Sequence, residues 1–146
     1  MLEITTCVGL ARLPFGASLQ DVESELGAPL RRSINSDGET VLEYDGFFVR
    51  MDAQSLCFRE LSMFPDVEAS INGHTIDWRA RFLDWLAAED QDLQVSGAVM
   101  VSFRLGISVT GFGATNEDEE SDRCITAFRE GDWDDLRGSM KSFNPG

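Results

Sequence analysis

The sequence predicts an α+β fold: an antiparallel sheet with two helices on one face, built from a tandem strand-helix-three-strand repeat. Three observations predict it. Only two segments carry apolar residues at helical spacing, one around Leu19 to Leu26 and one from Thr75 or Asp77 to Ala87. Short runs of β-forming residues lie around them, separated by Asp-Gly, Asn-Gly and Pro-Asp turns. The order of these elements recurs at an offset of about 60 residues.

The first element, Leu2 to Leu10, holds β-formers in loose alternation and reads as a strand, broken by Arg12 to Ala17 with Pro14 and Gly16. Ser18 is a good N-cap, and Asp21 places an acid in the first turn as in a variant capping box. Leu19, Val22 and Leu26 follow at helical spacing, and Gly27 with Pro29 ends a helix about nine residues long. Polar Ser33 to Gly38 reads as a loop. Glu39 to Tyr44 and Phe47 to Met51 are strands joined by the hairpin signal Asp45-Gly46. Leu56 to Phe64 is a third strand, and Val67 to Ile71 a short one ended by Asn72-Gly73.

The second helix has Ile76, Ala80, Phe82, Leu83, Leu86 and Ala87 on its apolar face. Three strands follow, Ala98 to Arg104, Gly106 to Phe112 and Arg123 to Phe128. Tyr44 to Val49 aligns loosely with Phe103 to Val109, and Leu56-Cys57-Phe58 with Arg123-Cys124-Ile125. This reads as a single domain over residues 1–146, with halves of about 1–64 and 65–129 and an irregular acidic tail, 130–146, carrying one short turn of helix around Asp134 to Met140. One helix per half covers one sheet face and leaves the other partly open, a surface suited to gripping a partner.

At 146 residues the chain can bury roughly two-thirds of the surface its unfolded form exposes. Its 42% apolar content, with ten Phe and three Trp, fits a packed core rather than a solvating tail. The charge is the unusual property: 26 acids against 12 bases give −14. Such a field repels phosphates and anionic lipid headgroups, which argues against nucleic acid and membrane as partners and favours basic proteins, while net charge alone reads equally as a device that keeps a small protein in solution. Nothing resembles a signal peptide or an apolar run of membrane length, so the expected location is cytoplasmic. Cys7, Cys57 and Cys124 are odd in number and far apart, and read as reduced core thiols.

No pattern of catalytic residues emerges, and the expectation is a non-enzyme with no cofactor and no metal. A triad needs a base, and the one histidine, His74, sits in a turn beside the second helix. Gly111-Phe112-Gly113 lacks the helix and Lys-Ser/Thr of a phosphate cradle, and acids follow it. Residues Asn116 to Asp122 offer oxygen ligands but lack the glycine and terminal Glu of a calcium loop. A carboxylate-pair enzyme would require a cleft holding two acids of different proton affinity, and spacing singles out no such pair.

Half the net charge falls in one stretch. From Thr115 to Asp135, nine acids stand against Arg123 and Arg129, a net of −7 in 21 residues. Trp133 lies among them and is the candidate aromatic anchor, while Phe128 reads equally as core at a strand end. The candidate partner-binding residues are therefore Glu117, Asp118, Glu119, Glu120, Asp122, Asp132, Trp133, Asp134 and Asp135.

Leu13-Pro14-Phe15-Gly16, Ser18, Val22, Leu26-Gly27 and Pro29, followed by Tyr44, Gly46-Phe47-Phe48-Val49 and Asp52, carry a resemblance. Over residues 13–52 the chain resembles small bacterial immunity proteins of polymorphic toxin systems. In these a Pro-Phe-Gly turn opens a helix ending in Leu-Gly-x-Pro, and a Tyr-x-x-Gly strand pair follows. The resemblance implies cytosolic residence, no cofactor and tight binding to a cognate toxin. It carries over no interface residue. The expected function is neutralisation of a cognate, basic toxin by direct binding, as a monomer or weak homodimer. The alternative is a structural or accessory interaction module using the open sheet face.

Overall fold

The computed structural model describes residues 1–65, 67–79, 81–112 and 123–143. The fold is mixed α+β and dominated by sheet. Three short strands open it, β1 (Leu2–Thr5), β2 (Gly9–Leu10) and β3 (Leu13–Pro14). Helix α1 (Leu19–Leu26) follows, then β4 (Arg31–Ile34), β5 (Thr40–Glu43), β6 (Phe47–Met51) and β7 (Phe58–Met63). Next come β8 (Ala69–Ile71), β9 (His74–Thr75), helix α2 (Arg81–Glu89), β10 (Gln94–Ser96), β11 (Val99–Ser102), β12 (Ile107–Thr110) and β13 (Cys124–Phe128). A 3-10 helix (Asp134–Ser139) and β14 (Lys141–Ser142) end the described chain.

The strands form two sheets. The larger has nine antiparallel strands in the order β14-β10-β11-β12-β13-β7-β6-β5-β4, and the smaller has five, β3-β2-β1-β8-β9. In the smaller sheet β1 runs parallel to β8, with Leu2 opposite Ala69 and Ile4 opposite Ile71. In the larger, a run of four strands (β4 to β7) meets a run of five (β14 and β10 to β13) where β7 pairs β13, Leu61 opposite Ala127 and Ile125 opposite Met63.

Local chemistry explains the elements. The Ser18 hydroxyl accepts from the Asp21 N–H at 3.1 Å, and Gly27 ends α1 at φ +82°. Asp45-Gly46 closes the β5–β6 hairpin, and Asn72-Gly73 closes β8–β9 with both residues at positive φ, as a type I′ turn requires. Alternation then sorts the larger sheet. Leu42, Val49, Leu61, Met63, Met100, Ile107, Val109, Ile125 and Ala127 enter one apolar cluster, together with Val22 of α1 and Phe82 and Leu86 of α2. Their strand neighbours Arg50, Glu60, Ser62, Ser108 and Thr126 face the other way.

Several elements differ from the sequence reading. The strand expected over Leu2 to Leu10 is two strands bent around Cys7, which sits at φ +62°. Part of the Ser33 to Gly38 loop is strand β4, because the Asn35 side chain accepts from the N–H groups of Asp37 and Glu39 and folds the chain back onto β5. Where three strands were expected after each helix, the larger sheet takes four after α1 and five after α2, Gln94–Ser96 and Lys141–Ser142 being missed besides β4, and β1 and β8 pair with each other in the smaller sheet. α2 begins at Arg81, since Thr75 is held in β9; Ala80, expected on its apolar face, lies outside the described residues. The three cysteines are half-buried rather than core. The short helical turn expected near Asp134 to Met140 is the 3-10 helix.

Two substitutions test this frame. Gly106 is at φ +64°, and a Cβ there would stand 2.5 Å from the Phe128 carbonyl oxygen. Ser18→Ala is expected to cost about 1 kcal/mol in urea denaturation through loss of the cap. Gly106→Ala is expected to cost more, about 2 kcal/mol or above, through strain and the forced separation of β12 from β13.

Candidate functional site

The outward face of the larger sheet holds a concavity of 690 Å³. Its floor is formed by β6, β7, β12 and β13, one wall by the Asn35–Glu39 turn and the other by Trp133 and Leu136. An irregularity in the pairing of β6 and β7 builds its charged centre. Arg50 lies opposite Glu60 and Met51 opposite Phe58, so Arg59 is an extra residue in β7. Strict alternation would send Arg59 and Glu60 to opposite faces. The bulge instead lets both reach the outer face, while Phe58 and Leu61 stay in the core at 1% exposure each.

A connected set of hydrogen bonds crosses this face. Arg50 Nη1 donates to Glu60 Oε2 at 2.9 Å and to Ser62 Oγ at 3.0 Å, and Ser62 and Thr126 share a hydroxyl bond of 2.9 Å. Trp133 Nε1 donates to Glu60 Oε1 at 2.8 Å, and its ring stacks on Phe128 at 4.5 Å. Arg59 Nε donates to Asp132 Oδ2 at 3.2 Å and its Nη1 to Glu39 Oε2 at 3.3 Å, while Asn35 Nδ2 donates to Glu39 Oε1 at 3.1 Å. Arg129 holds Asp132 from the other side. Burial works against the Arg59 charge, but Asp132, Glu39 and Glu60 outweigh it and hold the guanidinium above its usual range. Burial pushes the Cys124 thiol up, with the neighbouring Thr126 hydroxyl opposing it.

Each oxygen of Glu39 and of Glu60 has a donor, and the two arginines are held by carboxylates. Among the described residues no group of three His, Cys, Asp or Glu side chains is placed to hold a metal ion. What the face offers is a rigid, preorganised surface of mixed polarity.

The chain matches no family model, no curated protein and no solved structure. The reading of the site therefore rests on its own geometry.

Of the residues singled out from sequence, Trp133 lines the concavity and Asp132 bonds to Arg59, which lines it too. Asp132 is matched by Arg59 and Arg129, so its charge is balanced within the chain. Trp133 is half-buried and fixed at both ring and N–H rather than free. Asp134 is exposed and pairs with Arg137 at 3.3 Å, and Asp135 is exposed. Glu117, Asp118, Glu119, Glu120 and Asp122 lie outside the described residues. Phe128 is core, 1% exposed. His74 is exposed in β9 and stacks flat on Trp85, 4.5 Å between rings.

Sequence reasoning missed Arg50, Arg59, Glu39 and Glu60. A signal was present: Phe58-Arg59-Glu60-Leu61 puts two charges side by side inside an apolar strand, which breaks alternation as a bulge does. Arg50 between Val49 and Met51 is the matching cation on the neighbouring strand.

Two measurements probe the face. Trp133→Phe keeps a ring against Phe128 but strips Glu60 of one donor, and is expected to cost about 1–2 kcal/mol in urea denaturation. Asp52, 3.8 Å from Arg59, accepts from the N–H of Ser55 and of Gln54 and from the Ser55 hydroxyl. The Ser55 backbone bond, then that of Gln54, holds its carboxyl below the ordinary 3.8. Its folded value is thus lower than its unfolded one, so its stabilisation is present above the ordinary aspartate range and fades as pH falls through the lowered value. Asp52→Asn is expected to lower the urea midpoint at about pH 7 and to leave it nearly unchanged at about pH 2.

Proposed function

We propose that this chain is a non-catalytic binding protein that captures a basic protein partner, and that the partner is a cognate toxin neutralised by direct contact. The observation that carries this reading is electrostatic. The chain has a net charge of −14, while the arginines on the concave face are matched by carboxylates within the chain. Asp135 is exposed beside this face, as is Asp134 with its partner Arg137. The resemblance over residues 13–52 supplies the immunity-protein form of the reading, and with it cytoplasmic residence.

In this reading the partner meets the concavity along the rim that carries Trp133, Asp134 and Asp135, with the acidic stretch Glu117 to Asp122 contributing to the approach. Both helices cover one face of the larger sheet and leave the other to the partner. The tandem order of helix and four strands reflects an internal duplication within a single domain, and the tail from residue 130 closes one wall of the binding face. A preorganised surface of this kind loses little freedom on binding, which favours affinity.

The accessory-module reading keeps one supporting observation. Val99, Trp133 and Leu136 line the concavity, and Leu136 is 45% exposed, an apolar strip that needs no cation to recognise. Salt separates the two readings.

The test is co-expression with the product of the adjacent reading frame, followed by pull-down and calorimetry. The expected result is a complex whose affinity falls steeply between about 50 and 200 mM salt. Asp134→Asn with Asp135→Asn is expected to slow association several-fold while leaving dissociation nearly unchanged. A neighbour that is harmless to cells lacking this chain, and does not bind it, overturns the toxin reading. Salt-independent binding to a non-toxic neighbour favours the accessory module.

A further inference from the structure

The edge of the larger sheet at β4 has features that partner capture does not use. The Asn35 N–H donates to the Glu39 carbonyl at 3.0 Å and sets the phase of the β4–β5 ladder. Alternation then turns the backbone groups of Ser33 toward β5 and those of Arg32 and Ile34 toward the open edge. β4 is last in the strand order, so among the described residues no strand lies beside them. The ladder continues to Leu30, whose N–H donates inward to the Glu43 carbonyl at 2.7 Å.

This edge also carries the two most exposed large apolar side chains among the described residues, Leu30 at 77% and Ile34 at 72%. Arg32 lies between them on the same face of the strand, with its guanidinium bonded to Glu23 of α1. Arg31 stands opposite Glu43 in the β4–β5 register. The only adjacent basic pair in the sequence is thus set against two acids, in a chain that is otherwise strongly negative. The edge is locally neutral, flat in charge and apolar.

We propose that β4 is a self-association edge, where two copies of this chain pair antiparallel about a two-fold axis at Ser33 and join their nine-stranded sheets into one. In that register Arg32 lies opposite Ile34 of the second copy, and the outward groups of both residues form four ladder bonds. A shift of two residues would set Arg32 against Arg32 of the second copy and would call on Leu30, whose N–H is already used within the chain. A second copy fits better than a foreign protein for two reasons. The strand is its own complement about the axis. Two bodies of −14 can also approach only where local charge is balanced, whereas a charged foreign partner finds no net charge here to recognise.

The contact is small, in the weak class below about 1,200 Å² of buried surface. Its salt dependence has a fixed sign. Salt screens the repulsion between the two acidic bodies, so pairing strengthens as salt rises, opposite to capture of a basic partner. The proposal is independent of the toxin reading.

Sedimentation equilibrium of the intact chain from about 1 µM to about 1 mM, at low and high salt, tests it. The expected result is a monomer–dimer equilibrium that moves toward dimer at high salt. Ile34→Lys adds a charge to the edge, and Ile34→Pro removes an outward N–H while sparing the β4–β5 bonds. Each is expected to weaken pairing by about tenfold or more with an unchanged circular dichroism spectrum. Ser33→Cys is expected to give a disulfide-linked dimer under mild oxidation, where the wild-type chain with its Cys7, Cys57 and Cys124 gives none. Should Ile34→Pro unfold the protein, Ile34→Lys decides. A monomer mass across the whole range at both salts overturns the proposal. So does a dimer that ignores Ile34→Lys and leaves Ser33→Cys uncrosslinked.

Discussion

The pairing of β7 with β13 is the constraint on which the rest of the structure depends. It is where a four-stranded run and a five-stranded run, distant in sequence, become one sheet. The inward side of the seam, Leu61 and Met63 against Ala127 and Ile125, is essentially sealed from solvent, and burial of such side chains is worth roughly 1.5–3 kcal/mol each. The outward side carries Ser62 against Thr126, whose 2.9 Å hydroxyl bond satisfies both groups where either alone would be costly. Contacts of such sequence separation are slow to form, since loop closure precedes any return from them. Once made, they fix where every other outward side chain stands.

The bulge in β7 builds the charged centre of the concavity. One additional residue lets Arg59 and Glu60 share a face, so Arg50, Arg59, Glu39, Glu60 and Asp132 form a single matched set. Isolated surface ion pairs are worth less than about 1 kcal/mol. Here the carboxylates of Glu39 and Glu60 are each only 10% exposed, and their partners act as a unit whose members cannot be removed without stranding a buried charge. Trp133 is tied into the same set through Glu60, so the wall of the concavity moves with its floor.

Charge distribution separates the two surfaces of interest. On the concave face, Arg50 pairs with Glu60, and Arg59 with Glu39 and Asp132. At the β4 edge, Glu23 and Glu43 stand against Arg32 and Arg31, and the outward aspect is apolar. The two lie on different parts of the same sheet.

Much of the local structure was legible in the sequence because its causes are local. Ser18 and Gly27 bound a helix wherever they flank Leu19 to Leu26, and Asp45-Gly46 and Asn72-Gly73 turn a chain by their own backbone preferences. The mixed α+β class and the net charge could likewise be read without coordinates. Strand β4 could not, because Arg31 to Ile34 has no strong strand pattern and exists through its pairing with β5. The parallel pairing of β1 with β8 escaped for the same reason, as nothing in either segment names its partner. The matched set around Glu60 was hidden in plain composition, since its members come from residues 35 to 133 and meet only after a bulge shifts the register by one residue. By itself the sequence determined which segments turn, cap and hide apolar faces, because those preferences act within a few residues. Which charges neutralise one another and which remain outward was decided only by the tertiary structure, because electrostatic pairing depends on distance in space and not along the chain.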